Sequence, residues 1–285
     1  NYSDPDGAPL NSIRITSLPL NGSFRLNGTV ITVGQDIPAA QLGNITFIPT
    51  ANWSGTTGFD WRAYDGTSFS AGTSHVTINI QPANDAPQIT TPTSIAVTED
   101  IPASLKDISF SDIDAGTGVV TVTFSVPNGT LNATSGAGVT VSGTPAALIL
   151  TGTIADINAF LVANRVNYSS TQNPPPTVIL TVNISDNGNT GAGGAQQATA
   201  TVPLGITAVN DAPTGTGDTR TTAEDTPVNG AVTGNDVDGD VLTYTLGTPP
   251  TNGTATVNAS TGAYTYTPNP NYNGPDMFTV VISDG

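Results

Sequence analysis

Carboxylates recur in this chain at fixed stations. Asn84-Asp85-Ala86-Pro87 returns letter for letter as Asn210-Asp211-Ala212-Pro213. About a dozen residues after each copy comes a Glu-Asp pair, Glu99-Asp100 and then Glu224-Asp225. About a dozen further on comes an Asp-x-Asp, Asp112/Asp114 and then Asp236/Asp238. Acids gathered in this way need a counter-charge. Outside a cell the abundant hard dication is Ca²⁺, which takes about six to eight oxygens. Short Asp side chains at alternate positions aim several oxygens into one small volume. Asp and Gly also populate turns on their own account, and a lone Asp-Gly would be read that way. Recurrence of the whole set at two places favours a metal. Asp236-x-Asp238-x-Asp240 begins like an EF-hand loop but lacks the later Glu at the required spacing.

Composition narrows the partners. The 22 acids against 6 bases leave a net charge of −16, which disfavours nucleic acid and anionic membrane surfaces. Such an imbalance is tolerable where cations bind and loosens the chain by self-repulsion where they do not. There is no cysteine, so disulfides, thiolate metal sites and cysteine catalysis are excluded. Secretion without disulfides suggests a bacterial type of surface protein. No apolar run approaches the roughly 20 residues that span a bilayer, so membrane insertion is not expected. The sequence shows neither a signal peptide nor an initiator Met, and is expected to be an interior piece of something longer.

Short strands must position these acids. Thr and Val favour pleated, half-buried surfaces, and 31 Gly with 22 Pro punctuate many short segments. The two ends of the chain align without gaps. Phe47, Pro49, Asn52, Trp53, Gly55, Phe59, Asp65 and Gly66 fall on Tyr266, Pro268, Asn271, Tyr272, Gly274, Phe278, Asp284 and Gly285. The shared pattern reads as a strand, a turn that folds one aromatic under the loop, a second strand and a turn. Val76, Ile78 and Ile80 then alternate with polar residues as a half-buried strand. Further strands are expected at Ile95–Thr98, Val119–Val126, Val139–Val141, Leu148–Thr151, Val178–Ile184 and Ala198–Leu204. Others are expected at Val241–Leu246, Gly253–Val257, Ala263–Thr267 and Met277–Ile282. Ile154, Ile157 and Leu161 share one helical face and predict a short helix. Pro174–Pro176 and Gly188–Gly194 read as loops. Three units follow: 1–86, lacking its first strand; 87–212, complete, longer and carrying the helix; and 213–285, lacking its last strand. The incomplete ends could be completed by flanking sequence or by a strand donated from another subunit.

These residues carry a resemblance. Glu224-Asp225-Thr226-Pro227, the run Asn235 to Tyr244, Tyr264 to Pro268 and Asn271 to Gly285 look like the cadherin-like repeats of very large bacterial surface proteins. That group includes adhesins of the RTX kind and the repeat class called VCBS. The resemblance implies an all-β chain of tandem Ig-like, cadherin-like Greek-key β-sandwiches in an elongated array. It also implies Ca²⁺ between successive domains. The ligands it suggests at the first junction are Asn84, Asp85, Asp112, Asp114 and Asp186. At the second they are Glu99, Asp100, Asn210, Asp211, Asp236, Asp238 and Asp284. Asp4, Asp6 and Asp65 would face an upstream domain, and Glu224 and Asp225 a downstream one. The mid-domain Asp-Arg-Glu of true cadherins has no match, which lowers the expected number of ions per junction.

Other chemistry is weaker. His75, the single histidine, is out of phase with Val76, Ile78 and Ile80, so it should face solvent. No Gly-x-Ser-x-Gly elbow partners it. Paired acids can make a glycosidase, but those converge in one cleft, whereas these recur at repeat boundaries. Trp53 aligns with Tyr272, which favours packing of its own turn over stacking on sugar. The chain is therefore expected to be a non-enzymatic, extracellular structural segment on a bacterial surface or in its matrix. It would be a Ca²⁺-stiffened portion of an adhesin or filament. Its expected partners are neighbouring repeats of the same chain, other copies in a filament, or a cell-surface glycan or protein. The alternatives are a glycan- or cell-binding module, or an accessory region of a secreted polysaccharide-degrading enzyme.

Overall fold

The computed structural model describes residues 2–285. Its strand ladders fall into three groups, within residues 12–80, 88–207 and 214–283, and no ladder joins one group to another. Among the described residues the fold is all-β apart from one α-helix and one 3₁₀ turn.

In the first group an antiparallel sheet runs in the order Asp36–Pro38, Ser12–Ile15, Gly55–Tyr64, Ser74–Ile80. A second sheet pairs Gly22–Leu26 with Thr29–Val30 and Ile45–Pro49. Alternation points one side of each sheet inward, and Ile13, Ile15, Phe24, Ile31, Ile37 and Phe59 close the core between them. Phe24 and Phe59 bridge the two sheets with ring centroids 4.5 Å apart. The Ala39–Asn44 3₁₀ turn buries no residue and has no side-chain cap, so it left no pattern in the sequence.

The second group carries the largest core. Six strands line up as Thr140–Thr144, Ala147–Thr153, Val119–Ser125, Thr177–Ser185, Gln197–Thr207 and Ile95–Thr98, the last pair parallel. Strict alternation in Val119–Ser125 buries Val120, Val122 and Phe124 completely. The expected helix forms over Ile154–Val162. The Thr153 hydroxyl oxygen accepts from the Asp156 N–H at 3.1 Å, satisfying one of the free donors at the helix start. Ile157 and Leu161 are buried as their spacing predicts, Ile154 is half-buried, and Phe160 joins them on the inner face.

The third group has a Val228–Ala231, Ala263–Pro268, Gly253–Val257 sheet and two strand pairs, Thr243–Leu246 with Val280–Ser283 and Thr214–Thr216 with Thr233–Asn235. Its interior is aromatic, with Tyr264 edge-on to Phe278 at 5.1 Å. The aligned turns of the first and third groups share their backbone. Asn52 and Asn271 both turn left-handed, with φ of 60° and 58°. A Cβ on Gly55 would sit 3.3 Å from the Trp53 ring, and one on Gly274 would sit 2.9 Å from the Tyr272 hydroxyl, so each aromatic lies against its own turn as expected.

Tyr266 gives this unit a titration signature. Its hydroxyl donates to Asp276 Oδ2 at 2.9 Å. Burial first, and then that carboxylate, push its pKa up to about 12. The folded chain keeps a proton that an unfolded tyrosine loses near pH ~10. This contribution to stability is therefore complete below about pH 10 and is lost as the pH rises through about 12. An absorbance titration should show a late phenolate step that Tyr266→Phe removes; an unchanged titration in that variant would refute the assignment.

Candidate metal centres at the junctions

The same hydrogen-bond pattern is built twice where one unit meets the next. At the first junction the Asp85 N–H donates to Asp114 Oδ2 at 2.6 Å, and the Asp114 N–H donates to Asp112 Oδ1 at 2.8 Å. At the second, the Asp211 N–H donates to Asp238 Oδ2 at 2.7 Å, and the Asp238 N–H donates to Asp236 Oδ1 at 2.9 Å. The linker asparagines repeat as well. Asn84 Nδ2 reaches Asp186 Oδ2 at 2.5 Å, and Asn210 Nδ2 reaches Asp284 Oδ2 at 2.8 Å. Each Asp-x-Asp thus folds on its first carboxylate as a local turn, and its second carboxylate catches the incoming linker.

One oxygen of each leading aspartate is left over. Asp112 Oδ2 and Asp236 Oδ2 are buried and have no hydrogen-bond donor, and Asp211 Oδ2 is in the same position. A turn-forming aspartate in water does not need to bury a bare oxygen, because an unpaired buried polar atom costs about 1–3 kcal/mol. Burial pushes the Asp211 carboxyl up, and the facing carboxylates of Asp100, Asp238, Glu99 and Asp236 push it the same way. Asp236, Asp238 and Asp240 can each place an oxygen within 4.8 Å of the others. Among the described residues the ion pairs are Arg14–Asp36, His75–Asp60 and Arg220–Asp218, and none reaches a junction acid. An all-oxygen set of carboxylates and amides without a paired cation suits a hard ion such as Ca²⁺. The residues present therefore fit that ion.

Among the described residues Glu99 and Asp186 are the two buried acids, at 0% and 1% exposure. Glu99 Oε1 accepts from the Asn173 N–H at 2.6 Å and Oε2 from the Val209 N–H at 3.0 Å. It therefore ties the linker to the body of the second unit. Burial acts to raise the Asp186 carboxyl, but the Gly188 and Gln196 N–H groups and the Asn84 amide outweigh it and hold the carboxyl low. Asp100 is exposed, in a left-handed turn at φ 63°, and it influences Asp211 through its charge.

The remaining predicted ligands lie elsewhere. Asp4 Oδ1 accepts from the Asp6 and Ala8 N–H groups, and Asp6 itself is exposed. Asp65 Oδ1 accepts from Thr67 and Ser68, and those bonds hold its carboxyl low. Asp4 and Asp65 both act on Tyr2, so they share one end of the first unit. At the opposite end of the third unit Asp225 accepts from the Asn271 N–H at 2.9 Å, and Glu224 is exposed.

Three participants were not foreseen. Asn173 supplies one of Glu99's donors, and its side chain also reaches across to the Val237 carbonyl at 2.8 Å. Asp240 joins the acidic group without having been placed among the ligands. The Gly188–Gly194 loop straps the first linker: Asn84 N–H donates to the Ala192 carbonyl and Ala192 N–H to the Pro82 carbonyl, both at 2.9 Å. A Cβ on Gly191 would lie 2.5 Å from the Ala83 carbonyl carbon, so that approach requires glycine. Glycine content alone signals a loop and says nothing about what the loop touches.

His75 is exposed, and its Nδ1 lies 2.7 Å from Asp60 Oδ1. The Ser17 hydroxyl donates to the other oxygen of Asp60 at 2.8 Å. The carboxylate stands between serine and histidine, whereas nucleophilic catalysis needs the histidine in the middle.

The Bacterial Ig domain family matches residues 210–285. No curated protein sequence matches the chain. Among solved structures, mouse Cadherin-23 EC22-24 is similar at 22% identity and a TM-score of 0.48, over 99% of this chain and 84% of that one. Human CDH23 EC21-23 is similar at 17% identity and a TM-score of 0.44, over 95% and 87%. An endo-fucoidan hydrolase, MfFcnA4 of glycoside hydrolase family 107, is similar at 16% identity and a TM-score of 0.27, and the chain spans 38% of its length. With scores this low, the fold assignment rests on the ladders and on the family match. No helix among the described residues is long and apolar enough to cross a membrane. The chain is a tandem array of Ig-like β-sandwiches, and its residues 210–285 match the Bacterial Ig domain.

Proposed function

We propose that this chain is a Ca²⁺-stiffened, non-enzymatic spacer segment of an extracellular bacterial surface protein, an adhesin or filament. One observation carries the reading. The carboxylates of Asp100, Asp238, Glu99 and Asp236 all bear on Asp211 at the second junction without a paired cation, and one oxygen each of Asp211 and Asp236 is buried without a donor. Asn84, Asp85, Asp112, Asp114 and Asp186 supply the corresponding set at the first junction, and Asn210 and Asp284 complete the second. Asp4, Asp6 and Asp65, and Glu224 and Asp225, present further carboxylates at the outer ends of the array.

The mechanism is mechanical. When bound, Ca²⁺ neutralises the carboxylates and takes up their spare oxygens. The chain's own residues do the rest. Asp114 and Asp238 hold the linker backbone, Asn84 and Asn210 tie it to the late aspartate of the following unit, and Glu99 anchors Val209. Without the ion the carboxylates repel across a linker held by a few hydrogen bonds, and the units swing. Small-angle scattering with and without Ca²⁺ tests the reading, because only a junction clamp makes the shape of the array depend on the ion.

A further inference from the structure

Asparagine followed two places on by Ser or Thr is commoner in this chain than its composition requires. Ser and Thr are 67 of the 285 residues, so about six of the 25 asparagines should be followed in this way, and eleven are, none with proline between. Six of the eleven bracket one strand, in all three units. Gly22–Leu26, Thr130–Asn132 and Gly253–Val257 are the same strand by register. Phe24 pairs with Phe47, Leu131 with Tyr168 and Ala255 with Tyr266, each two residues after a glycine. At its start stand Asn21-Gly22-Ser23, Asn128-Gly129-Thr130 and Asn252-Gly253-Thr254. At its end stand Asn27-Gly28-Thr29, Asn132-Ala133-Thr134 and Asn258-Ala259-Ser260.

Packing explains part of this. A Cβ on Gly22, Gly129 or Gly253 would collide with the paired ring of Phe47, Tyr168 or Tyr266, so glycine is required there. Asn27 turns left-handed at φ 47°, with Gly28 at 82°, as a two-residue hairpin needs. Asn258 Oδ1 accepts from the Ser260 and Thr261 N–H groups at 3.0 and 3.1 Å, which makes a side-chain turn. Neither turn needs a hydroxyl two residues on. The asparagines that tie distant parts of the fold together lack one. Among the described residues, Asn84, Asn158, Asn173, Asn187, Asn189 and Asn210 donate their amides to residues at least 48 positions away. Two places after them stand Ala86, Phe160, Pro175, Asn189, Gly191 and Ala212.

The end of the strand is more accessible than its start. Asn27, Asn132 and Asn258 are exposed, as are Thr29, Thr134 and Ser260, whereas Asn128 and Asn252 are half-buried. Asn132 Nδ2 reaches Thr130 Oγ1 at no less than 3.4 Å, and Asn258 uses its oxygen rather than its nitrogen in its turn.

We propose that Asn27, Asn132 and Asn258 are acceptors of N-linked sugar, one in each unit. The donor is a sugar whose anomeric carbon bears a phosphate leaving group, either a nucleoside-diphosphate sugar or a lipid-linked oligosaccharide. In the transfer the amide nitrogen bonds to the anomeric carbon while the bond from that carbon to the phosphate oxygen breaks. The phosphate-bearing group leaves with the electron pair, and the amide nitrogen gives up one of its two protons to a base of the transferase. The exposed hydroxyl two residues on completes the acceptor tripeptide. Each unit then carries a bulky, solubilising group at the same end of the same strand. None of these residues is a junction acid, so the inference stands apart from the ion.

The test is site-localised peptide mass mapping of the protein isolated from the cells that make it. The expected result is a sugar mass on Asn27, Asn132 and Asn258. Single monosaccharides point to the nucleotide donor, and one uniform oligosaccharide to the lipid-linked one. Thr29→Ala, Thr134→Ala and Ser260→Ala, each made alone, should strip the sugar from its own site and leave the other two occupied. These variants keep the asparagine and its turn, and the two sites that stay occupied show that the chain is still made and folded. Three bare asparagines, sugar that survives loss of the hydroxyl, or sugar carried by the Thr and Ser hydroxyls themselves would overturn the proposal.

Discussion

Saturating Ca²⁺ should raise the melting temperature of this chain by about 10 °C or more, and Asp211→Ala with Asp238→Ala should erase most of that rise. Extracellular Ca²⁺ modules bind at about 10⁻⁴–10⁻³ M. Free Ca²⁺ about 100-fold above the dissociation constant adds about 2.7 kcal/mol per site. For a domain of roughly 60–100 residues each kcal/mol moves the melt by about 4–8 °C. The two positions are chosen for opposite reasons. Asp211 carries an oxygen with no donor, whereas Asp238 also holds the Asp211 N–H. Asp238→Asn keeps an acceptor for that N–H while removing charge, and separates the two roles. In chelator the sign should change. Asp211→Asn removes one of a group of facing carboxylates, so the ion-free protein should be no less stable than the parent. A melt that ignores Ca²⁺ in the parent, or a rise that survives the double variant, contradicts the account.

Glu99→Ala should weaken the junction between the second and third units whether or not Ca²⁺ is present. Both Glu99 oxygens already hold backbone N–H groups, those of Asn173 and Val209, and the side chain is fully buried. Truncation leaves those donors without an acceptor and opens a void beside the linker. At about 1–3 kcal/mol for each of the two unsatisfied donors, the loss is about 2–6 kcal/mol. Glu99→Gln retains one acceptor and should fall between. Denaturant unfolding in chelator reads this out. Were Glu99 only an ion ligand, chelator would make the variant and the parent equal; the two hydrogen bonds require that they stay apart.

Strong alternation made much of the fold legible. Ile95–Thr98 and Gly253–Val257 form over the residues their patterns predict, because every second position of the first is buried and every second position of the other half-buried. Ala103–Ser104 and Thr130–Asn132 were not visible, since two or three residues carry no period and their pairing to Asn167–Ser169 is decided by distant sequence. Phe160 lay beside the predicted helical face and was missed because the neighbouring Leu161 already satisfied the spacing. The junction acids were legible as letters because they recur. Their hydrogen-bond partners were not: Asn173 reaches Glu99 across 74 residues of chain, and nothing local to either marks the contact. The Gly188–Gly194 strap is similar. Its composition predicts a loop, and only the fold brings Ala192 to Pro82 and Asn84.

The central claim is that an ion at the junctions sets the geometry of the array. Small-angle scattering of the intact chain tests it directly, first with millimolar Ca²⁺, then with chelator, and in both conditions for the Asp211→Ala, Asp238→Ala variant. The account predicts a longer, narrower distance distribution for the parent in Ca²⁺, a shorter and broader one in chelator, and the chelated profile for the variant throughout. Superimposable profiles for the parent with and without Ca²⁺ would contradict it and return the junction acids to ordinary turn residues.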